Sequence, residues 1–310
     1  MDIDLVYLWV DGNDPQWQAK RNAIIGNTER EASVICKGRY TDNDELKYSL
    51  RAVELYAPWI RKIFIITDNQ TPEWLDSSNS KVRIVDLTEF MPAQSLPCFN
   101  SNVIEHCIHH IPDLAEHFLY ANDDMFINRP VSPADFFAPD GLPIVRLYRK
   151  WFRKLALFYR EKVLKKTLEH YIQAIKNAAL LVEKEYGQYF NSKPHHNIDA
   201  LLKSDCKDTA EVFKEYIEPT LSNHLRSPND IQRIIYSYSA LAKKRAQLQY
   251  VDQKTSFRFL IHNTELYPKL KEYNPLFFCM NDSQFANDSD RLRATEYLQK
   301  RFPEKSRFEK

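Results

Sequence analysis

Short apolar segments that each end at a turn or at polar residues constrain the fold of this chain more than any other feature. Four of them have the length and apolar content of buried strands: residues 4–10 (DLVYLWV), 62–67 (KIFIIT), 81–87 (KVRIVDL) and 117–121 (HFLYA). Residues 42–56 and 100–111 lie between them and carry apolar side chains near helical spacing. Because strands that alternate with helices are typical of a doubly wound parallel sheet, we predict an α/β, Rossmann-like fold.

Polar clusters follow three of these strands, where an open α/β sheet binds its ligands. They are Asp11-Gly12-Asn13-Asp14, Asp68-Asn69 and Asn122-Asp123-Asp124. Adjacent carboxylates such as Asp123 and Asp124 can bind a hard cation that in turn holds diphosphate oxygens. We predict that the other clustered side chains, together with the flat ring of Trp9, bind a nucleotide. The alternative is a set of Asx turns that only terminate strands.

Three further segments carry side chains suited to phosphoryl chemistry. His195 and His196 lie side by side in a loop, and an imidazole of near-neutral pKa can deprotonate an attacking hydroxyl. Arg226 precedes a helix, and guanidinium is a bidentate partner for phosphoryl oxygens. Asn281 and Asp282 follow another apolar run and are further candidate metal ligands. Surface histidines, a surface salt bridge and a turn are the alternatives.

Composition excludes several classes of function. The chain holds only five glycines and no glycine-rich phosphate loop, so a bound phosphate must rely on a cation, on Arg, Lys or His side chains, or on helix N-termini. A formal charge of +1 gives no general attraction to nucleic acid. Five scattered cysteines argue against a disulfide framework and a zinc site. No apolar run approaches the roughly 20 residues that span a bilayer, so we expect a cytoplasmic protein.

Residues 147–189 differ from the rest of the chain and are predicted to form a helical insert in a core made of residues 1–146 and 190–310. Within it, residues 149–166 hold eight Lys or Arg against the single Glu161. An apolar stripe predicts an amphipathic basic helix; its members are Phe152, Ala156, Tyr159 and Val163. The helix could contact anionic lipids, at about 1 kcal/mol per basic residue. A solvated face and a grip on an anionic glycan are the alternatives.

In their order and wording, these segments resemble the conserved regions of the Stealth family. The resemblance runs through residues 2–15 (DIDLVYLWVDGNDP), 39–50 (RYTDNDELKYSL), 58–69, 96–126, 194–199, 225–232, 279–282 and 302–309 (FPEKSRFE). Stealth proteins include bacterial capsular polysaccharide phosphotransferases and the catalytic subunit of the lysosomal-enzyme GlcNAc-1-phosphotransferase. The segment least covered by the resemblance is 147–187.

The resemblance implies a Rossmann-like core of the glycosyltransferase-A type, a UDP-sugar donor and a divalent cation, Mg²⁺ or Mn²⁺. The paired aspartates of the family carry over to Asp123 and Asp124, its arginine to Arg226, and its histidine to His195 or His196, between which spacing does not decide. The implied reaction moves a hexose 1-phosphate onto a hydroxyl of a glycan or lipid-linked glycan and releases UMP. The alternatives are a glycosyltransferase that releases UDP and a non-catalytic nucleotide-sugar or glycan binder.

Overall fold

The structure is a computed structural model that describes residues 1–26, 38 and 40–310. Cys36, and Arg39 at the start of the 39–50 motif, lie outside the described residues. The strands are β1 Ile3–Leu8, β2 Ile63–Thr67, β3 Val82–Asp86, β4 His117–Asn122, β5 Met125–Ile127, β6 Ile144–Tyr148, β7 Lys193–Pro194, β8 Asp199–Leu202, β9 Gln247–Tyr250, β10 Ser256–Leu260 and β11 Phe277–Asn281.

Helices connect most of these strands. They are α1 Pro15–Ile25, α2 Glu45–Tyr56, α3 Ser101–Cys107, α4 Arg153–Phe158, α5 His170–Tyr186, α6 Lys203–Val212, α7 Lys214–Ile217, α8 Ile234–Ala242, α9 Leu266–Tyr273 and α10 Asp288–Arg301. None of the helices in the described part of the chain has the length and hydropathy needed to cross a membrane.

A five-stranded sheet organises the molecule in the order β3-β2-β1-β4-β8. Its first four strands are parallel and β8 is antiparallel to β4. Two three-stranded sheets, β10-β11-β5 and β7-β6-β9, complete the strand pairing. The predicted α/β fold with a mostly parallel sheet is confirmed, and the three strands that precede polar clusters, β2, β1 and β4, are neighbours.

The central strands are apolar on both faces because helices cover both sides of the sheet. Every residue of β2 is buried. On β1, Leu5 packs into a cluster with α2, whereas the next residue, Val6, packs into the cluster that contains α3, α5 and α8. This alternation fixes the register of β1, since a shift by one residue would exchange its two faces.

The basic segment is less helical than its sequence pattern predicts. β6 extends to Tyr148, α4 has six residues and continues only as a five-residue π turn, Tyr159–Val163. Phe152 and Tyr159, members of the predicted apolar stripe, are exposed. A helix whose apolar face has no partner gains little from packing, and packing supplies most helical stability in proteins. By contrast, α5 buries its apolar face in the core beside α8.

Candidate active site at the ends of strands β1 and β4

The polar loop after β1 is bound to the end of β2 through Gln70. The backbone N–H of Asp11 donates to Gln70 Oε1 at 3.0 Å, and Gln70 Nε2 donates to Asp14 Oδ2 at 3.0 Å. Asp14 also caps α1, because its Oδ1 accepts from the backbone N–H groups of Gln16 and Trp17. Two of the three predicted polar clusters therefore meet at one edge of the sheet.

Close backbone contacts hold the remaining residues of these clusters. The N–H of Gly12 donates to Tyr40 O at 2.7 Å, and a Cβ at position 12 would lie 2.2 Å from that oxygen, so only glycine fits. The N–H of Asn13 donates to a carboxylate within the loop at 2.8 Å. Asp68 forms an ion pair with Lys20 at 3.0 Å.

Trp9 does not present its ring to solvent. It is 4% exposed and packs in the core with Leu46 and Leu50. Its indole lies beside the carboxylate of Asp42. The predicted stacking of Trp9 on a nucleotide therefore has no exposed ring face in this structure.

Four carboxylates from two parts of the chain crowd together beyond β4, and we call them the acidic cluster: Asp42, Glu45, Asp123 and Asp124. Burial, and then the charges of Asp124, Glu45 and Asp42, raise the pKa of Asp123 well above its ordinary value. Burial and the charge of Asp42 raise the pKa of Glu45 to about 8, and burial raises that of Asp42 to about 6. The cluster carries more negative charge than its surroundings balance.

Asp124 connects the acidic cluster to β11. Its Oδ2 accepts hydrogen bonds from Asn281 Nδ2 and from Cys279 Sγ, the latter at 3.4 Å, and Asn281 Oδ1 accepts in turn from Arg258 Nε. Burial raises the pKa of Asp124, and these hydrogen bonds together with the charge of Arg258 offset part of the rise. Both ends of the Asn281 amide are thus engaged between Asp124 and Arg258.

The side chains of Asn281 and Asp282, predicted together as metal ligands, have different partners in the structure. Asp282 forms a buried ion pair with Arg291 of α10 at 2.7 Å, and its other oxygen accepts from the N–H of Ser283 at 2.6 Å. A Cβ on Gly38 would lie 2.5 Å from that oxygen. Both oxygens of Asp282 therefore have partners that hold α10 in place.

The acidic cluster suits a hard cation. Asp124 Oδ1 is buried and has no hydrogen-bond partner among the residues described, and the charges of Asp124, Glu45 and Asp42 raise the pKa of Asp123. Within the described ranges no three His, Cys, Asp or Glu side chains form a complete metal cage. A cation held by Asp123 and Asp124 would take its other ligands from water and substrate oxygens, as Mg²⁺ commonly does.

On the other side of β4 lies an ion-pair group, the Arg233 network, formed by Arg233, Glu105 and Asp199. Arg233 donates to Glu105 at 3.1 Å and to Asp199 at 2.7 Å. Burial alone would raise the pKa of Asp199, but Arg233 and His195 outweigh it and lower the value to about 2. The hydroxyl of Tyr120 lies 3.0 Å from Glu105 Oε1, which joins the network to β4.

The two histidines have different surroundings. His195 is fully buried, with Nδ1 3.2 Å from Ser256 Oγ and Nε2 3.3 Å from Asp199 Oδ1. His196 is half-buried, has a left-handed backbone (φ 55°), and places Nδ1 3.3 Å from the hydroxyl of Tyr171. Burial lowers the pKa of both, that of His196 well below its ordinary value, so His196 is neutral at pH 7.

The charge of Arg258 acts on both Asp124 and His196, so its guanidinium lies near both groups. Arg226 lies on the side of α3: it donates to Ser101 Oγ at 3.0 Å, and its charge acts on Glu105. Tyr120 joins Glu105 to the end of β4, because its hydroxyl also lies 2.9 Å from Asn122 Oδ1. The predicted carboxylates, imidazole and guanidinium therefore border a common region.

Sequence reasoning missed several members of this site. Asp42 and Glu45 lie in the DNDEL segment that was assigned only a helix start. Arg258 interrupts an apolar strand (SFRFL), and a lone charge in such a strand is a signal that could have identified it. Arg233 and Asp199 gave no comparable signal, since each pairs with residues far away in the sequence.

Comparison with known families gives two matches. The model described as "Stealth protein CR1, conserved region 1" matches residues 1–29, and that described as "Stealth protein CR2, conserved region 2" matches residues 39–145. The second region contains Asp42, Glu45, Asp123 and Asp124, the whole of the acidic cluster.

Curated relatives are similar over nearly the whole chain. The capsular polysaccharide phosphotransferase fcs1 of Haemophilus influenzae is 34% identical over 92% of this chain and 79% of its own length. The exopolysaccharide phosphotransferase cps2G of Lactiplantibacillus plantarum is 32% identical over 100% and 96%. Other relatives are longer: the chain spans 52% of an exopolysaccharide phosphotransferase of Streptomyces coelicolor, at 35% identity, and 58% of CpsY of Mycobacterium tuberculosis.

Solved structures are more distant. The galactosyltransferase LgtC with donor and acceptor sugar analogues is 9% identical, covers 98% of this chain and 96% of its own, and has a TM-score of 0.46. Mouse xyloside xylosyltransferase 1 is 9% identical over 91% and 98%, with a TM-score of 0.41. Structural similarity this low does not indicate the chemistry of this chain.

Proposed function

Because this chain belongs to the Stealth family, we propose that it transfers a hexose 1-phosphate from a UDP-sugar to a hydroxyl of a glycan acceptor and releases UMP, in the synthesis of a capsular or exopolysaccharide. The observation that carries the proposal is the grouping of charges around Arg258: its charge acts on Asp124 of the acidic cluster and on the neutral His196, and Asn281 joins Arg258 to Asp124 by hydrogen bonds. A phosphoryl transferase needs these three kinds of group.

Asp123 and Asp124 would hold the divalent cation. Bound there, Mg²⁺ or Mn²⁺ would neutralise charge on the diphosphate oxygens of the donor. The free Oδ1 of Asp124 and the like-charge repulsion within the acidic cluster support this assignment. Asn281 orients Asp124 through its amide hydrogen bond, and we assign it this orienting role in place of the predicted metal ligation.

His196 is the general base in this proposal. Its partial exposure allows a substrate hydroxyl to approach, and its lowered pKa keeps the imidazole neutral and able to accept a proton at pH 7. Tyr171 lies next to its Nδ1. His195, by contrast, is fully buried between Ser256 and Asp199, and we assign it a structural role beneath the loop.

Arg226 and Arg258 supply positive charge for the phosphoryl oxygens. Ser101 Oγ accepts from one nitrogen of Arg226, which leaves its other donors for a bidentate contact with phosphate. Asp230 fixes the loop that carries Arg226, because its Oδ2 accepts from Asn100 Nδ2 at 2.8 Å. Arg258 is exposed and lies next to Asn281, to which it donates a hydrogen bond.

The reaction follows from these positions. The acceptor hydroxyl loses its proton to His196 and its oxygen forms a bond to the phosphorus that bears the hexose. The bond from that phosphorus to the oxygen of UMP breaks, and UMP leaves with the electron pair. The anomeric bond is retained, and the product is a phosphodiester.

Identification of the released nucleotide tests this function. We expect UMP when the protein is incubated with UDP-sugars, Mg²⁺ and capsule-type oligosaccharides, as measured by mass spectrometry. UDP as the product would establish a conventional glycosyltransferase instead, and no released nucleotide across the panel would favour a binding protein. His196→Ala should lower kcat about 10²- to 10³-fold, whereas His195→Ala should lower the melting temperature. The reverse pattern would assign the base to His195.

We also propose that residues 151–164 contact an anionic membrane surface, where lipid-linked acceptors would be presented. Seven large apolar side chains of this segment are between 47% and 73% exposed: Trp151, Phe152, Leu155, Phe158, Tyr159, Val163 and Leu164. Three exposed lysines, Lys162, Lys165 and Lys166, lie within or next to it. Aromatic and aliphatic side chains beside cations suit the interface of an anionic bilayer.

Vesicle co-sedimentation tests this contact. We expect the protein to bind vesicles of phosphatidylcholine with phosphatidylglycerol but not phosphatidylcholine alone, and the double substitution Phe152→Ser, Leu155→Ser to abolish binding. Equal binding to both vesicle types, or none to either, would contradict the proposal. A loss of self-association in the double variant without lipid would identify the surface as an interface between copies of the chain.

A further inference from the structure

Three cations, Lys150, Arg153 and Arg258, lie near enough to Lys193 for their charges to act on it, and we call the four residues the basic rim. The pairing of β6 with β7 sets Tyr148 opposite Lys193. Just beyond this pair, the N–H of Lys150 donates to Ser192 Oγ at 3.4 Å. Separate stretches of the chain therefore place like charges at one point on the surface.

No carboxylate of the described chain forms an ion pair with any member of the basic rim. Partial burial, and then the charges of Lys150, Arg258 and Arg153, lower the pKa of Lys193. Nη1 of Arg153 is buried and has no hydrogen-bond partner within the described ranges. Cations that repel one another and keep unused donors form a favourable site for an anion.

The basic rim is connected to the acidic cluster and to the loop that carries the two histidines. Arg258 donates to Asn281, which donates to Asp124. Lys193 lies in the short strand β7 that leads directly into His195 and His196. An anion bound at the rim would therefore lie beside the loop that carries the proposed base, His196.

Aromatic rings lie among these cations. Lys193 Nζ is 5.7 Å from the centroid of the Tyr148 ring. The guanidinium carbon of the neighbouring Arg149 is 4.0 Å from the centroid of the Tyr250 ring. Tyr250 is exposed at the end of β9, beside β6. Rings offer apolar faces to sugar units and cations offer contacts to phosphate, so the surface matches a polymer that contains both.

We propose that the basic rim binds a phosphodiester group of the acceptor chain, so that the protein extends a phosphodiester-linked glycan in preference to a neutral one. The inference rests on the proposed function, because each transfer of a hexose 1-phosphate adds one phosphodiester, and hence one permanent negative charge, to the acceptor. The product of one turnover then carries the group that the rim binds in the next.

Fluorescence anisotropy with two labelled probes tests this inference on the full chain. The probes are a glycerol-phosphodiester oligomer and a dextran oligomer of similar length. We expect the phosphodiester probe to bind and the dextran not to bind. The double substitution Lys150→Gln, Lys193→Gln should weaken phosphodiester binding about 10- to 100-fold, since each charged contact contributes on the order of a tenfold change. Lys271→Gln, an exposed lysine on α9, is the matched control and should bind as the unmodified chain does.

Several outcomes would overturn the inference: equal binding of dextran, an unchanged affinity in the double variant, or an equal loss for Lys271→Gln. Unfolding of the double variant is excluded by its melting temperature, because both replaced side chains are exposed. The measurement needs no turnover. Phosphodiester binding through the rim without UMP release would reject the proposed function alone, and UMP release with rim-independent binding would reject this inference alone.

Discussion

The acidic cluster and the Arg233 network both bury carboxylates beside the same strand, β4, but they differ in what balances the negative charge. In the Arg233 network a buried guanidinium joins Glu105 to Asp199, and the pKa of Asp199 falls to about 2. In the acidic cluster the carboxylates face one another, and the pKa of Glu45 rises to about 8. Arg233 thus stabilises the charged form of Asp199 and offsets part of the rise that burial causes in the pKa of Glu105, whereas the neighbours of Asp123 in the acidic cluster add to the rise of its pKa.

This difference separates support from function. In the Arg233 network each carboxylate is paired with a cation of the chain itself, and these ion pairs hold α3, β8 and the loop before α8 together without a ligand. A cluster whose charges are unbalanced lowers the stability of the free protein and gains stability when a cation binds. Substitutions in the two regions should therefore have opposite effects on stability.

The largest expected effect follows replacement in the acidic cluster. Asp123→Asn should lower turnover about 10³-fold, because it removes a charge that would hold the cation at the diphosphate. The same change should raise the melting temperature of the cation-free protein at pH 8, since it relieves repulsion from Asp124 and Glu45. Nucleotide release and thermal unfolding are the measurements.

Asp208→Asn, an exposed position on α6, is the control for this prediction and should change neither quantity. A variant Asp123→Asn that is less stable than the unmodified protein at pH 8 would show that the carboxylate is already balanced. That result would remove the distinction between the two regions.

The Arg233 network should respond in the opposite direction. Arg233→Met should lower the free energy of unfolding by about 3–5 kcal/mol, because it leaves Glu105 and Asp199 buried without their cation. Urea unfolding measures the loss. Because the pKa of Asp199 is lowered, its stabilising contribution is present above the ordinary value near 3.9 and is lost as pH falls toward 2, so the difference should shrink in that window.

Arg293→Met provides the comparison, since Arg293 is a more exposed partner of Asp290 and its loss should cost only about 0–1 kcal/mol. If both arginine variants lose the same free energy, the Arg233 network is not a special support of the fold.

The sequence predicted part of the acidic cluster but none of the Arg233 network, for a physical reason. Asp123 and Asp124 follow an apolar strand. The change from apolar to polar residues at a strand end is a local pattern that a single sequence shows. Glu105, Asp199 and Arg233 interact only after folding brings together residues more than 30 positions apart. No local pattern records such a pairing, so the network could be seen only in the structure.

The same limit applies to the fold. The strands β1, β2 and β4 and the helix α2 were predicted close to their observed bounds. Each strand is a continuous apolar run and the helix has apolar residues near helical spacing, and both patterns are local. The two- to four-residue strands β5, β7, β8 and β9 were missed, because pairing with distant strands defines them. The helical pattern of residues 149–166 overstated the helix, since Phe152, Tyr159 and Val163 of its apolar stripe are exposed in the described part of the chain.

The affinity of the acidic cluster for a divalent cation should depend on pH. The raised pKa values of Glu45 and Asp42, about 8 and about 6, mean that the cluster holds protons which a bound cation must displace. Affinity for Mn²⁺ should therefore rise about 10- to 100-fold between pH 6 and pH 8, as titration calorimetry would measure. A pH-independent affinity would contradict the shifts, and Asp123→Asn should show a weaker dependence.

The smallest expected effect tests how His196 is oriented. For Nε2 to accept the proton of a hydroxyl, Nδ1 must carry hydrogen, and the hydroxyl oxygen of Tyr171, 3.3 Å away, is then its acceptor. Tyr171→Phe removes this acceptor at a cost of about 1 kcal/mol, so kcat should fall about fivefold with little change in KM. Tyr238→Phe removes a buried hydroxyl that donates to Ser192 O at 2.6 Å, and it should lower stability while leaving kcat unchanged. A fall in kcat for Tyr238→Phe alone would show that general loosening of the fold, and not the tautomer of His196, controls the rate.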